Sequence, residues 1–412
     1  MSKVKIIPEL RFPEFENEGE WENIKLKQFG TFYRGLTYGA TDTASKGLLV
    51  LRSGNIQKDT LILNNDLVFV AKECPENLKL LNGDIIICMS NGSKALVGKN
   101  AEYKGNYEGD ITVGAFCSIM RPKNNFTKYL LQSDIYQEFI ALSIGGGNIN
   151  NLKNSDLEEF SCSAPKNRKE KHKIASCISS LDNLIEAHIQ KLDVLKEHKK
   201  GMMQNLFPQE GEKVPKYRFK EFEKKWEKVK LKDVSTYFNG GSYENDVKED
   251  GKYELITLKS INKYGQLVNS NRYIDIEVAT LSIGTLVMIL SEQAPGLLGM
   301  TAIIPENNKY VLNQRVAEIR PNQKVICFFL SMAINRNQVY FSKQGAGMKV
   351  QNITKPNVEN YEFLVPEINE QQKIASCLSS LDALITAQAE KIEQLKLHKK
   401  GLMQGMFPKI EI

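Results

Sequence analysis

The sequence predicts an α+β chain with a pseudo-two-fold internal repeat: two β-rich mixed α/β modules separated by two long helices that form an antiparallel coiled coil. Three observations predict it. The stretch "KIASCISSLDNLI" at 173–185 returns as "KIASCLSSLDALI" at 373–385. Aligned at a constant offset of 200, residues 173–208 and 373–408 agree at 23 of 36 positions, far beyond chance. The chain's two tryptophans, Trp21 in "WENIKLK" and Trp226 in "WEKVKLK", mark the same point of two halves.

The helices come from apolar spacing. Ile174, Ile178, Leu181, Ile185, Leu192 and Leu195 recur at intervals of three, four and seven, mirrored by Ile374, Leu378, Leu381, Ile385, Ile392 and Leu395, which is a heptad seam. From about Glu170 to Gln204 there is no proline, so one helix of roughly 50 Å is expected at 1.5 Å per residue. Gly201 with Pro208, and Gly401 with Pro408, supply the expected stops. A stripe this narrow needs a partner helix, and the second copy is the obvious one. The intervening module starts at the far end of the first helix and feeds the start of the second, so the second helix runs back antiparallel.

The modules repeat too. "RFPEFE" at 11–16 answers "RFKEFE" at 218–223, Gly83 answers Gly284, Gly98 answers Gly299, and Arg121-Pro122 answers Arg320-Pro321. Apolar runs such as "DIIICM" and "GTLVMIL", broken by Gly, Asn and Asp turns, read as buried strands. The expected boundaries are an N-terminal arm at 1–20, a first module at 21–166, the first repeated helix at 167–208, a second module at 209–367 and the second helix at 368–412.

Composition leaves several functions open and closes others. A net charge of +6 permits a polyanionic partner without establishing one. No apolar stretch approaches the ~18 residues that span a bilayer, and the N-terminus lacks a signal core, so a cytoplasmic protein with no membrane partner is expected. Seven cysteines without a C-x-x-C pair read as reduced, buried small residues. All four histidines lie on the predicted helices, which removes His-based acid–base chemistry and most zinc sites from the modules. No phosphate-binding loop motif occurs. A chain that catalyses nothing alone and binds no metal or cofactor is expected.

Loop chemistry points to nucleic acid. Asn and Gln bind adenine bidentately, Arg and Lys take guanine or phosphate, and Ser or Tyr takes a phosphate oxygen. In the first module the candidates are Tyr33, Arg34, Arg52, Ser90, Asn91, Ser93, Lys94, Asn148, Asn150, Asn151 and Lys153. In the second they are Tyr243, Lys259, Ser260, Lys263, Ser291, Gln293, Gln314, Arg315, Lys349, Gln351 and Asn352. Each such loop also has the composition of an ordinary solvated turn. Two readers on one rod address one face of a duplex when their half-sites lie about 34–36 Å apart. Modules with different loops then read a bipartite, asymmetric double-stranded target, and the helices act as a ruler. The rival from another class is a structural coiled-coil adaptor whose end domains bind proteins or glycans.

The chain resembles the specificity subunits of type I restriction–modification systems over essentially its whole length. The resemblance is carried by "VPEINEQQKIASCLSSLDALI" (365–385), "LKLHKKGLMQGMFP" (395–408), their earlier counterparts and "LNGDIII" (81–87). The first copy departs from the pattern: "PKNRKEKHKIA" keeps Glu170 but has Lys171 where the second has Gln371, which puts in doubt an identical partner contact at that end. The resemblance implies two target recognition domains joined by an antiparallel coiled coil, with no catalytic centre. It implies docking of two methyltransferase subunits on the helices, with Lys191, Lys196, Lys391 and Lys396 facing them, and recruitment of restriction and translocase subunits. S-adenosylmethionine, ATP and Mg would belong to those partners.

Overall fold

The computed structural model describes residues 6–145, 151–292, 296–345 and 350–408. They form two compact units, Met1–Ile189 with Glu390–Ile412, and Gln190–Ala389. The long helices, Arg168–Asn205 and Ile368–Met406, are continuous, so each unit contains the first half of one and the second half of the other.

Within each unit the two helix halves run antiparallel. In the first, Asp182 meets Lys399 at 2.6 Å, while Ile174, Ala175 and Ile178 share a core with Met403, Met406 and Phe407. In the second, Asp382 meets Lys199 at 2.5 Å, and Ile374 and Leu378 share a core with Leu206 and Phe207. The two ion pairs are the same pair at an offset of 200, so the repeat in sequence is a two-fold in contacts. The seam is as the spacing predicts. Ile174, Ile178, Ile185, Ile374, Leu378, Ile392 and Leu395 are buried, and Leu181, Leu192, Leu195, Leu381 and Ile385 half-buried.

The helices do not stop at their glycines. They continue to Asn205 and Met406, because the turn after each glycine is packed rather than solvated: Met202 and Met203 against the second core, Leu402, Met403 and Met406 against the first. Burying those side chains outweighs the glycine's cost of roughly 1 kcal/mol.

Each module is built on the same sheets. In the first unit, strands Gly30–Arg34, Cys117–Pro122, Ile85–Cys88 and Asn100–Glu102 pair antiparallel in that spatial order. In the second, Ser235–Asn239, Val316–Pro321, Leu286–Ile289 and Thr301–Ile303 do the same. A second sheet has a parallel pair, Leu48–Leu51 with Ile111–Val113 in one module and Tyr253–Ile256 with Tyr310–Leu312 in the other. A two-stranded ribbon ties each module's start to its end, Glu22–Lys25 with Ser161–Ala164 and Glu227–Lys230 with Glu362–Val365. Gly98 and Gly299 both have φ near +80°, and an added Cβ would strike Ile140 or Phe341, which explains their recurrence.

Where module meets helix, a buried carboxylate gathers the duplicated motifs. Glu170 is 1% exposed and accepts both Arg11 nitrogens (2.8 and 2.9 Å) and the Trp21 indole N–H (3.1 Å). Glu370, equally buried, accepts Arg218 (2.8 and 2.7 Å) and Trp226 (3.2 Å). Phe407 stacks on Phe126 and meets Trp21 edge-on; Phe207 stacks on Phe329 and meets Trp226 likewise. The departure at Lys171 is internal. Gln371 is fully buried, bonded to the Ile326 N–H and the Lys324 and Pro366 carbonyls, whereas Lys171 lies over the Phe29 ring at 5.4 Å.

All seven cysteines are free; Cys88, Cys117 and Cys162 are buried, while Cys74, Cys177, Cys327 and Cys377 are only half-buried. Among the described residues no helix is long and apolar enough to cross a membrane, and no His, Cys, Asp and Glu cluster could hold a metal ion.

Candidate nucleic-acid interface

The same three chain segments build a cleft in each module. One is the loop leaving the first long strand, another follows the inner parallel strand, and the third is the turn between the outer parallel strand and the sheet's second strand. In the first module Leu36 donates its N–H to the Val113 carbonyl (2.7 Å), and Gly114 donates to Leu51 (2.8 Å). In the second, Gly241 donates to Leu312 (3.0 Å) and Asn313 to Ile256 (3.1 Å). The approach is so close that a Cβ on Gly35 would lie 2.2 Å from the Gly114 oxygen, and one on Gly240 2.1 Å from the Asn313 oxygen. Only glycine fits, which is why "YRG" and "FNG" hold one at the equivalent place.

The first cleft has a volume of about 640 Å³ and is lined by Tyr38, Arg52, Ser53, Asp66, Ala115 and Phe116, among others. Its one cation is held within it: Arg52 forms an ion pair with Asp66 at 2.5 Å. Asn91 donates to Ser53 Oγ (3.0 Å), and its neighbour Ser90 bridges to Asn151, so Arg52, Ser90, Asn91 and Asn151 are brought together. The second cleft, about 630 Å³, carries Lys259, Arg272 and Arg315 against Glu244 and Glu292, leaving one excess positive charge. Lys259, Gln314 and Arg315 are exposed on its rim. Glu244 accepts Asn313 Nδ2 (2.7 Å) and pairs with Arg272 (2.7 Å); these contacts, the Asn313 bond foremost, hold its carboxyl below the ordinary glutamate range. Ser291 and Glu292 pair with Asn352 and Gln351, so those four lie beside the rim residues.

Other candidates lie elsewhere. Tyr33 lies beneath the Arg121 guanidinium (5.3 Å), as Phe238 lies beneath Arg320 (4.3 Å). Ser260 is fully buried and its Oγ accepts the Thr257 N–H. Tyr243 is half-buried with its ring filling the space beside Gly241. Lys263 lies over the Tyr264 ring on a separate turn. Arg34, Ser93, Lys94 and Lys153 are exposed but line neither cleft. Asn148, Asn150, Gln293 and Lys349 lie outside the described residues. On the helices, Lys191, Lys196, Lys391 and Lys396 are all exposed.

The clefts also take in Thr37, Tyr38, Ser53, Arg272 and Phe116, which are not among the candidates drawn from loop composition. The turn "VGAFC" (113–117) has no polar side chain to draw notice; aligning it with "LNQRV" (312–316) would have found it.

A duplicated scaffold with matching clefts of unlike lining defines a two-headed recognition protein. The profile described as "Type I restriction modification DNA specificity domain" matches twice, over residues 18–197 and 223–397. The chain therefore belongs to the type I restriction–modification DNA specificity family. It is 22% identical to the EcoKI specificity subunit of Escherichia coli K12 over 94% of this chain and 88% of that protein. Its identity to the MjaVIII specificity subunit of Methanocaldococcus jannaschii is 26%, covering 96% and 92%. In fold it is similar to the crystal structure of the type I restriction–modification S subunit from M. genitalium, with a TM-score of 0.60 at 14% identity over 98% and 99% of the two chains.

Proposed function

We propose that this chain is the DNA-recognition subunit of a type I restriction–modification complex, each module reading one half of a bipartite, asymmetric site in double-stranded DNA. The observation that carries this reading is the pair of equivalent clefts with different linings: one neutral and partly apolar, the other net positive with Lys259, Gln314 and Arg315 exposed on its rim. The contact set proposed is Arg52, Ser90, Asn91 and Asn151 in the first module, and Lys259, Ser291, Gln314, Arg315, Gln351 and Asn352 in the second. Asn, Gln and Arg at a cleft rim supply the donor and acceptor pairs that distinguish base edges in the major groove.

The two helices set the spacer and dock two methyltransferase subunits, to which restriction and translocase subunits add. Their exposed lysines at 191, 196, 391 and 396 face those partners. S-adenosylmethionine, ATP and Mg are held there, and the chain itself directs rather than catalyses. Its place is the cytoplasm, with the DNA. The adaptor reading is not favoured, since it gives no reason for family-wide DNA specificity domains at both ends.

The test is sequencing of methylated adenines in a host that co-expresses this chain with its methyltransferase subunits. One asymmetric motif with two specified halves and an unspecified spacer is expected. A palindromic motif, an uninterrupted one, or no methylation overturns the reading.

A further inference from the structure

Positions 116 and 315 are the same position of the two modules. The Cys117 N–H closes a turn onto the Gly114 carbonyl (2.8 Å), as the Val316 N–H does onto Asn313 (3.1 Å). The carbonyl of Phe116 accepts the Met89 N–H (2.8 Å), as that of Arg315 accepts Leu290 (3.1 Å). Cys117 and Val316, next in sequence, are buried at 1% and 0%. Each backbone is thus fixed by the strand framework, and each side chain stands in its module's cleft. Phe116 is 70% exposed, an aromatic ring presented to water on a rigid turn. Nothing in the core requires it there.

Resting on the reading that the clefts bind DNA, we infer that position 116/315 determines specificity: Phe116 reads the C5-methyl of a thymine, and Arg315 reads a guanine at the equivalent step of the other half-site. The thymine methyl is the apolar group that bases display in the major groove, and a phenyl ring is a suitable partner for it. Burying an exposed ring on that methyl removes apolar surface from water on both sides. The surroundings agree, since Arg52, which lines the same cleft as Phe116, is paired with Asp66, so that the first cleft carries no net positive charge. The Arg315 guanidinium, exposed beside Gln314 and Lys259, is built for the fork of guanine O6 and N7.

The test uses the full chain assembled with its methyltransferase subunits. Methylated-adenine sequencing is run on wild type, Phe116→Ala, Phe116→Leu and Arg315→Ala, with thermal unfolding as the folding control. Phe116→Ala relaxes one thymine position in one half-site and leaves the other half intact; Phe116→Leu retains part of the preference. Arg315→Ala relaxes one guanine in the opposite half, a loss of discrimination on the order of 10- to 100-fold. Replacing the thymine by deoxyuridine in a synthetic site weakens wild-type binding about fourfold, the worth of one buried methyl group, and leaves Phe116→Ala binding unchanged. Unaltered motifs in folded variants overturn the inference. So does a relaxed position at which deoxyuridine binds as well as thymine, which would make the ring a wedge between bases. Exchanging residues 21–166 for those of a relative with another target separates the two levels. If the exchange alters one half-site while Phe116→Ala alters nothing, only this inference fails; if it alters neither half, the reading beneath it fails.

Discussion

Replacing Glu370 by Ala removes the carboxylate on which the second module is joined to its helix. Arg218, whose side chain is 15% exposed, loses both hydrogen bonds, and the Trp226 indole N–H loses its acceptor. Breaking a buried ion pair from one side costs about 3–5 kcal/mol because a charge is left in the interior. Since Arg218 retains some contact with water and the Lys224 carbonyl, the low end applies, about 3 kcal/mol. The orphaned indole N–H adds about 1 kcal/mol. At about 2–4 °C per kcal/mol for a unit of this size, the melting temperature of the second unit should fall by roughly 8–16 °C. Differential scanning calorimetry reads this directly. Glu370→Ala should lower one transition, Glu170→Ala the other, and Lys224→Ala, which breaks an exposed pair with Glu367, neither. A drop below about 3 °C for Glu370→Ala would refute the reasoning, because the carboxylate would then be replaceable by water.

Gly240→Ala places a methyl 2.1 Å from the Asn313 backbone oxygen and should cost several kcal/mol or disable the second half-site alone, measured by urea denaturation and by the methylation motif. Cys117 and Cys162 are pushed up to about 12 by burial, so a thiol reagent at pH 8 should modify neither until urea unfolds the chain, as mass spectrometry of the labelled peptides will show. Glu244 has a folded-state pKa depressed chiefly by Asn313 and then by Arg272, so its stabilising effect is present above the ordinary glutamate value of about 4.3 and is lost as pH falls below it. Melting of wild type and Glu244→Gln should therefore differ at pH 7, and the gap should narrow as pH falls below about 4.3; a constant gap would contradict the assignment.

The seam residues and the paired glycines were legible in the sequence because each obeys a local rule, helical period or φ above zero, and the two tryptophans because their flanking sequence repeats. The Glu170 and Glu370 hubs were not, since the partners of Glu370 lie 144 and 152 residues away and no spacing announces such a contact. The Glu370-Gln371 pair, read from the sequence as part of the helix entry that carries the resemblance, is an interior joint. Loop polarity located the rims of both clefts but also selected Tyr33, which lies beneath Arg121, and Ser260, which is buried and bonded to the Thr257 N–H. It passed over Phe116, which lines the first cleft but carries no polar group. The comparison that finds it is between the two halves of this chain.

The division of the first unit between the two ends of the chain has a consequence for synthesis. Residues 190–389 are contiguous, so the second unit can close as soon as it has left the ribosome. The first waits for residues 390–408, about 200 positions downstream, to cover Trp21 and Phe126 with Met406 and Phe407. At about 5–20 residues per second this is an interval of roughly 10–40 s in which the earlier-made half keeps an uncovered aromatic face. The part translated first is finished last, and that interval is when a chaperone would have work on this chain.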